Sequence, residues 1–353
     1  MLYSKLPPPT ISSSPSRRLH YIDILRGMTI LLVVIHHLNV WFIGPYLPIN
    51  EVMVKVRMPL FFFISGLFAY SPTFSQDLAK KRIRNRVRGQ LYPTFIVGLI
   101  YTLLFYIPNG TTFKDVLYAP DKGGYWFTFV AVEIFLLFVP IAYFMYRKSI
   151  SAKVQSIIYL CFILMCPAIF HLIWKYCPEK IDGLLCVEML VGHIPYFFLG
   201  VFVKLNLNMI NERLTSKWIL FMCVVLFVIG FVLLKHGTPL SGWVKLLTSS
   251  MGVIAIYGIF YNLRYVLTTS HIIGRVMSFL GKNTLQIYLL HYFFISILRQ
   301  WGVGKWFTWG LEYPTLCFIV FIFMAVGVAT LCMCVDVLLK KTHTVKFVFP
   351  RVA

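Results

Sequence analysis

Apolar runs of about 20 residues follow one another along almost the whole chain, each long enough for an α-helix to cross the roughly 30 Å hydrocarbon core of a bilayer. In lipid every backbone N–H and C=O must find its partner within the protein, so a chain of this kind folds as a bundle of spanning helices. The runs predict ten spans, at 22–44, 52–70, 90–108, 124–146, 155–174, 184–203, 217–235, 242–263, 276–298 and 312–338. The last is long enough to tilt or to extend beyond the bilayer. Composition agrees: of 353 residues 59% are hydrophobic and 13% charged, against about 25% charged in a soluble domain, and the mean hydropathy is +0.79. The expected fold class is an all-α, polytopic membrane protein.

A net charge of +21 suggests nucleic acid at first sight, but its distribution points to a bilayer instead. With the N-terminus inside, 22 of the 33 Lys and Arg fall in cytoplasmic segments and eight in outer loops. That is the positive-inside bias, and it predicts that both termini are cytoplasmic. Seven of the eight tryptophans fall at outer span ends, Trp218 alone at an inner one, as an interfacial belt would place them. Residues 1–21, Pro- and Ser-rich (LPPPTISSSPSRR), read as a disordered cytoplasmic tail, and 339–353 as a short basic one. The eight cysteines show no C-x-x-C pair and no metal-ligand spacing, so no metal is expected. Cys177 and Cys186 are close enough in sequence to bridge, although buried free thiols are the simpler state.

Within the first span stand two residues that hydrocarbon disfavours, Arg26 and His37. Eleven residues apart, at about 100° each, they lie three turns plus roughly 20° from one another, on one helix face and about 16 Å apart along the axis. His36 points some 80° aside. Asp23, three residues before Arg26, joins the stripe at the helix mouth. A snorkelling arginine and a structurally satisfied histidine would explain either residue alone; the aligned pair argues for function.

Other constellations follow. The second span opens Arg57-Met58-Pro59 and runs LFFFISGLF, where Ser65-Gly66 lets a helix or ligand approach closely. The run KKRIRNRVRGQLYP, 80–93, concentrates six cations at the inner face. It suits a topology anchor on anionic lipid and equally a phosphate-binding rim, in which Arg84, Arg86 and Arg88 would meet a nucleotide-bearing donor. Glu133 and Glu188 are carboxylates within spans, and His193 lies in GHIPYFFLG. Tyr288 and His291, three apart in GKNTLQIYLLHYFF, share a face in the outer half of their span. Asp23, Ser65, Glu133, Tyr288 and His291 are therefore candidate lining residues of a polar cavity.

In their order and spacing these motifs resemble acyltransferase family 3, integral-membrane acyltransferases that modify bacterial cell-surface sugars. The resemblance rests on Arg26 and His37 in IDILRGMTILLVVIHH, on PLFFFISG at 59–66, and on the basic run ending at Pro93. It rests also on Tyr125-Trp126-Phe127, on PYFFLG at 195–200 and on GKNTLQIYLLH at 281–291. Family members often carry an R-x-x-R pair before the loop proline; here Arg84, Arg86 and Arg88 alternate instead. The resemblance implies a membrane domain over 22–338 in the bacterial cytoplasmic membrane. It further implies transfer of an acyl group, most simply acetyl, from cytosolic acyl-CoA (acetyl-CoA as co-substrate, with no bound cofactor) to a hydroxyl of a cell-surface, exopolysaccharide or lipid-linked sugar. His37 would be general base or covalent acyl carrier, and Arg26, Arg84, Arg86 and Arg88 would bind the donor. An exporter of a polysaccharide precursor is the alternative, since intramembrane Arg, Glu and His also suit a carrier.

Overall fold

The computed structural model describes residues 20–44, 47–238, 241–268, 271–342 and 348–350, with backbone alone at 166, 167 and 170. Most of the tail expected over 1–21 lies outside the described residues, as do 343–347 and 351–353 of that expected over 339–353; helix already begins at His20 and runs on to Lys341. The described residues contain helices and no strand. In chain order the helices are α1 (His20–Phe42), α2 (Pro48–Ala69), α3 (Gln76–Arg86), α4 (Tyr92–Tyr101), α5 (Phe113–Tyr118), α6 (Trp126–Arg147), α7 (Ala152–Lys175) and α8 (Glu179–Leu185). They continue as α9 (Val187–Leu205), α10 (Leu207–Leu214), α11 (Lys217–His236), α12 (Ser241–Asn262), α13 (Ile272–Lys282), α14 (Thr284–Gln300) and α15 (Pro314–Lys341).

Among the described residues eight segments are long and apolar enough to cross a membrane: α1, α2, Gln76–Asn109, α6, α9, α11, Ser241–Tyr265 and α15. The chain is an all-α polytopic membrane protein. Of the two further spans expected from sequence, 155–174 falls within α7, and 276–298 is broken at Asn283 into α13 and α14. Local bonds make the break. Asn283 Nδ2 donates to the Phe279 carbonyl (2.8 Å) and Thr284 Oγ1 to that of Gly281 (2.7 Å), an alternative to a continuing helical ladder.

The buried core lies among α1, α2, α6, α9, α14 and α15, where Phe62, Phe135, Phe138, Phe197 and Phe321 are almost fully enclosed. The outer faces of α4, α7, α11 and α15 leave large apolar side chains exposed, the pattern of a surface whose solvent is lipid.

Two close helix approaches set the frame, and both depend on glycines in the sequence motifs. A Cβ on Gly66 of α2 would lie 1.9 Å from the Phe197 carbonyl oxygen of α9, and one on Gly200 of α9 would lie 2.0 Å from that of Phe63. Likewise a Cβ on Gly27 of α1 would meet the Met277 carbonyl oxygen of α13 at 2.0 Å, and one on Gly281 that of Asp23 at 1.7 Å. Each pair is reciprocal, as expected where small residues let backbones touch in a membrane. Arg26 and Ser65, beside Gly27 and Gly66, are thereby fixed in place.

At the opposite end Lys122, buried between spans, donates from Nζ to the carbonyl oxygens of Leu117 (2.5 Å) and Gly183, joining α5 to α8. Burial holds its ammonium below the ordinary lysine value, although Glu133, Asp121 and Asp182 pull the other way. Cys177 and Cys186 are free thiols, so the bridge considered from their spacing is not formed.

Candidate active site

A cavity of about 330 Å³ opens at the end of the bundle that carries the basic run. Its walls come from α1 (Arg26), α2 (Phe61, Ile64, Ser65, Phe68), the 86–90 stretch (Arg86, Gly89, Gln90), α6 (Phe127) and α14 (Thr284, Leu285, Tyr288). A second hollow, lined by Arg82, Asn85 and Phe135, shares Phe68, Arg86, Gly89 and Gln90 with it and forms its mouth.

Helical phase decides which cations face inward. Arg82 and Arg86 are four residues apart and share a face, whereas Arg84 and Arg88 stand two residues from Arg86, about 200° round the helix. Arg82 and Arg86 accordingly line the two hollows and are partly buried; Arg84 and Arg88 are exposed. Between α3 and α4, residues 87–91 form a π-helical turn, a local widening often found at functional sites. It brings Gly89 and Gln90 to the cavity wall. Gln90 Oε1 accepts from Arg86 Nη1 at 2.8 Å, and the Arg86 guanidinium lies 5.1 Å over the Phe135 ring. Arg82 donates to the Ala69 carbonyl, and Arg26 lies 6.0 Å from the Phe68 ring centre. Arg86 is within electrostatic reach of both Arg26 and Arg82. Three guanidinium groups thus converge on one cavity, an arrangement complementary to a polyanion.

The far wall of the cavity is Tyr288, and behind it stands the second cluster. Tyr288 Oη donates to the Gly124 carbonyl at 2.8 Å, and the Tyr292 hydroxyl reaches the same oxygen at 3.3 Å. Tyr292 Oη also lies 2.9 Å from His37 Nε2. Gly124 must be glycine here: its φ is +96°, and a Cβ would sit 2.4 Å from the Tyr292 ring. The His37 Nδ1 makes no hydrogen bond among the described residues, and the side chain is only partly buried. His291 is fully buried 5.2 Å from the His37 ring. Its Nδ1–H donates to the backbone carbonyl of Tyr288 (2.7 Å), which leaves Nε2 as the lone-pair side, without a partner.

His36 is differently occupied: its Nδ1 meets Asn50 Nδ2 at 3.3 Å, and Asn50 donates to Asn39 Oδ1 at 2.7 Å, tying α1 to α2. Of the remaining sequence candidates, Ser65 and Tyr288 line the cavity and His291 backs the His37 ring. Asp23 is buried where α1 meets α13, its carbonyl facing Gly281. Glu133, on α6, is turned toward Lys122, with Oε2 buried and unpartnered. Among the described residues no group of His, Cys, Asp and Glu could hold a metal ion.

Tyr292, Gly124, Gln90 and Arg82 were not singled out from sequence. Tyr292 had a legible signal, because it is four residues from Tyr288 and shares a helix face with it. Arg82 and Gln90 had one too, in their spacing of four from Arg86.

A family model described as an acyltransferase domain matches residues 19–334, nearly the whole chain. The chain belongs to acyltransferase family 3. The inner membrane protein YcfT of Escherichia coli (strain K12) is 21% identical over 331 residues, covering 81% of this chain and 84% of that protein. No solved structure matches. The matched region holds both clusters, so this is a multi-pass membrane protein of an acyltransferase family with a basic cavity backed by a histidine–tyrosine pair.

Proposed function

We propose that the protein is an O-acyltransferase of a bacterial cytoplasmic membrane, moving an acyl group, most simply acetyl, from cytosolic acyl-CoA to a hydroxyl of a cell-surface, exopolysaccharide or lipid-linked sugar. One observation carries this reading: a cavity open at the basic end, lined by Arg26 and Arg86, ends at Tyr288 with the His37–Tyr292 pair directly behind. The positive-inside bias supports a cytosolic position for that end and for both termini.

The donor's phosphates sit against Arg26, Arg86 and Arg82, and its flexible thiol arm runs inward past Ser65 and Tyr288. Arg84 and Arg88 contribute to the long-range attraction of the rim and do not touch the donor. The Tyr292 hydroxyl gives its proton to the Gly124 carbonyl and accepts one from His37 Nε2–H, so the imidazole lone pair is at Nδ1. From there His37 acts as general base. It takes the acceptor's hydroxyl proton as the new C–O bond forms; when the C–S bond breaks, that proton passes to the departing thiolate. Both products, the ester and the free thiol, leave neutral at the reacting atoms, and His37 returns to its starting state. Arg26, about 16 Å from His37 along α1, is too far to stabilise the tetrahedral intermediate and acts on the donor alone.

Membranes containing the protein, given acetyl-CoA labelled in the acetyl group, should place label on extracted glycan or lipid-linked sugar. Label that stays on CoA in membranes that still move a sugar precursor across the bilayer would replace this reading with a carrier.

A further inference from the structure

Arg57 has no task in the chemistry above. It stands nine residues into α2, about 14 Å from that helix's start. Helical side chains lean toward the N-terminal end, and on α2 this is the end where Asn50 meets His36. Arg57 accordingly interacts electrostatically with Tyr292, the phenol bonded to His37, and with His193, whose ring packs 5.1 Å from that of Trp126. Its Nε and Nη1 are buried and have no hydrogen-bond partner. Among the described residues no carboxylate forms an ion pair with it: Glu51 pairs with Lys235, Asp336 with Lys340, and Glu133 faces Lys122.

An arginine keeps its charge throughout the accessible pH range, and a buried cation without a counter-charge is strongly disfavoured. A transient oxyanion relieves that cost only during the reaction, not in the resting complex. In the reading proposed above the donor's phosphates sit at Arg26 and Arg86, and Arg26 is three helical turns from His37 along α1. We propose that Arg57 recognises an anionic group, a carboxylate or phosphate, carried by one of the two substrates that meet at His37. The group belongs either to the acceptor sugar or to the free end of the acyl chain. The proposal rests on the acyl-transfer reading and narrows its substrate class.

The test uses the purified full chain in neutral detergent, with affinity read from thermal unfolding at graded ligand concentration. Acetyl-CoA is compared with succinyl-CoA for the donor arm, and octyl glucoside with octyl glucuronide for the acceptor arm. The wild type should bind the charged member of one pair at least about 10-fold more tightly than its neutral mate, and that pair names the source. Arg57→Gln should bind both members alike. If Arg57→Gln fails to fold, Arg57→Lys takes its place; it lacks the guanidinium fork and should show a reduced preference. The proposal is overturned by a wild type without preference in either pair, or by a variant that keeps the full preference. A fall in acetyl-transfer kcat with binding of all four probes unchanged also overturns it, in favour of an oxyanion role. Transfer of label from acetyl-CoA, followed in the same preparations, judges the underlying reaction separately. Charge preference without any transfer would leave Arg57 an anion site and remove the acyltransferase reading.

Discussion

Replacing Gly281 with alanine tests the frame that holds the site. The new Cβ would start 1.7 Å from the Asp23 carbonyl oxygen and 3.0 Å from Gly27 N, both backbone atoms that cannot turn aside. An ordinary carbon–oxygen contact is about 3.3 Å or more, so α1 and α13 must part locally by roughly 1.5 Å. Overpacking of this kind costs about 1–3 kcal/mol. It also moves Arg26, one residue from Gly27, relative to Arg86 across the cavity, and a displacement near 1 Å can cost up to about 10²-fold in rate. Gly281→Ala should therefore unfold several degrees below the wild type in detergent and transfer acyl groups at least about 10-fold more slowly. Gly327, on α15, is the control: nothing lies within 4 Å of its would-be Cβ. Gly327→Ala should leave activity unchanged and, by helix propensity, gain up to about 1 kcal/mol. Gly27→Ala should resemble Gly281→Ala, and the double variant should cost less than the sum, since one separation accommodates both methyl groups. A Gly281→Ala protein as stable and active as Gly327→Ala would refute the close approach of α1 to α13.

Three further outcomes are expected. His37→Ala should lower acyl transfer by at least about 10²-fold in membranes holding normal amounts of folded protein; Tyr292→Phe, which removes the partner of Nε2 and keeps the base, should lower it less, by about 10-fold. Single-turnover measurements on both variants check the order. Arg82→Gln and Arg86→Gln should each raise the donor KM by about 10-fold or more, the value of a charge-assisted hydrogen bond, while Arg84→Gln and Arg88→Gln change it by less than about 3-fold; equal effects at all four positions would count against the phase argument. Lys122→Met leaves the Leu117 and Gly183 carbonyls without their donor and should destabilise by about 1–3 kcal/mol. Because burial lowers the folded-state pKa of Lys122, the unfolded chain binds the extra proton, so stability should rise as pH climbs from that lowered value to the ordinary one near 10.4. Melting curves taken across this range should show that rise in the wild type and lose it in Lys122→Met.

The membrane class and most helix positions were legible because hydrocarbon imposes a single rule, internal satisfaction of the backbone, over about 20 residues at a time. The break at Asn283 was not, since two side-chain bonds of ordinary polar residues decide it within an otherwise apolar run. At the site, Arg26 and His37 were legible because charge in lipid is rare and their spacing has a phase. The sorting of the basic run was half legible. Spacing alone separates Arg82 and Arg86 from Arg84 and Arg88, but the π turn that carries Gly89 and Gln90 to the wall has no sequence signature. Gly124 was hidden for a different reason. Its role is set by Tyr288 and Tyr292, which lie 164 and 168 residues away, and no local pattern reports a contact at that separation.

In the proposed reaction, the phase of α1 lets two stations so far apart serve one path. The helix is held at both ends: Gly27 against α13 near its start, and Asn39 through Asn50 of α2, with Phe42 stacked on Phe307, near its finish. No proline interrupts it over 23 residues. It is therefore a rigid ruler, whereas the facing wall, α3 to α4 and beyond, contains π-helical turns at 87–91 and 102–106, segments that can yield. Inserting one residue between Arg26 and His37 would lengthen the ruler by only about 1.5 Å, a distance the proposed donor's flexible thiol arm would absorb, yet it would swing His37 by about 100° away from Tyr292. Spacings of 7 and 18 would also keep the two side chains within about 20° of one face, at roughly 10 and 27 Å. The shorter would crowd the proposed donor's phosphates against the reacting bond, and the longer would exceed the helix. Of the three spacings, eleven residues keeps both side chains on one helix face and leaves them about half a bilayer apart.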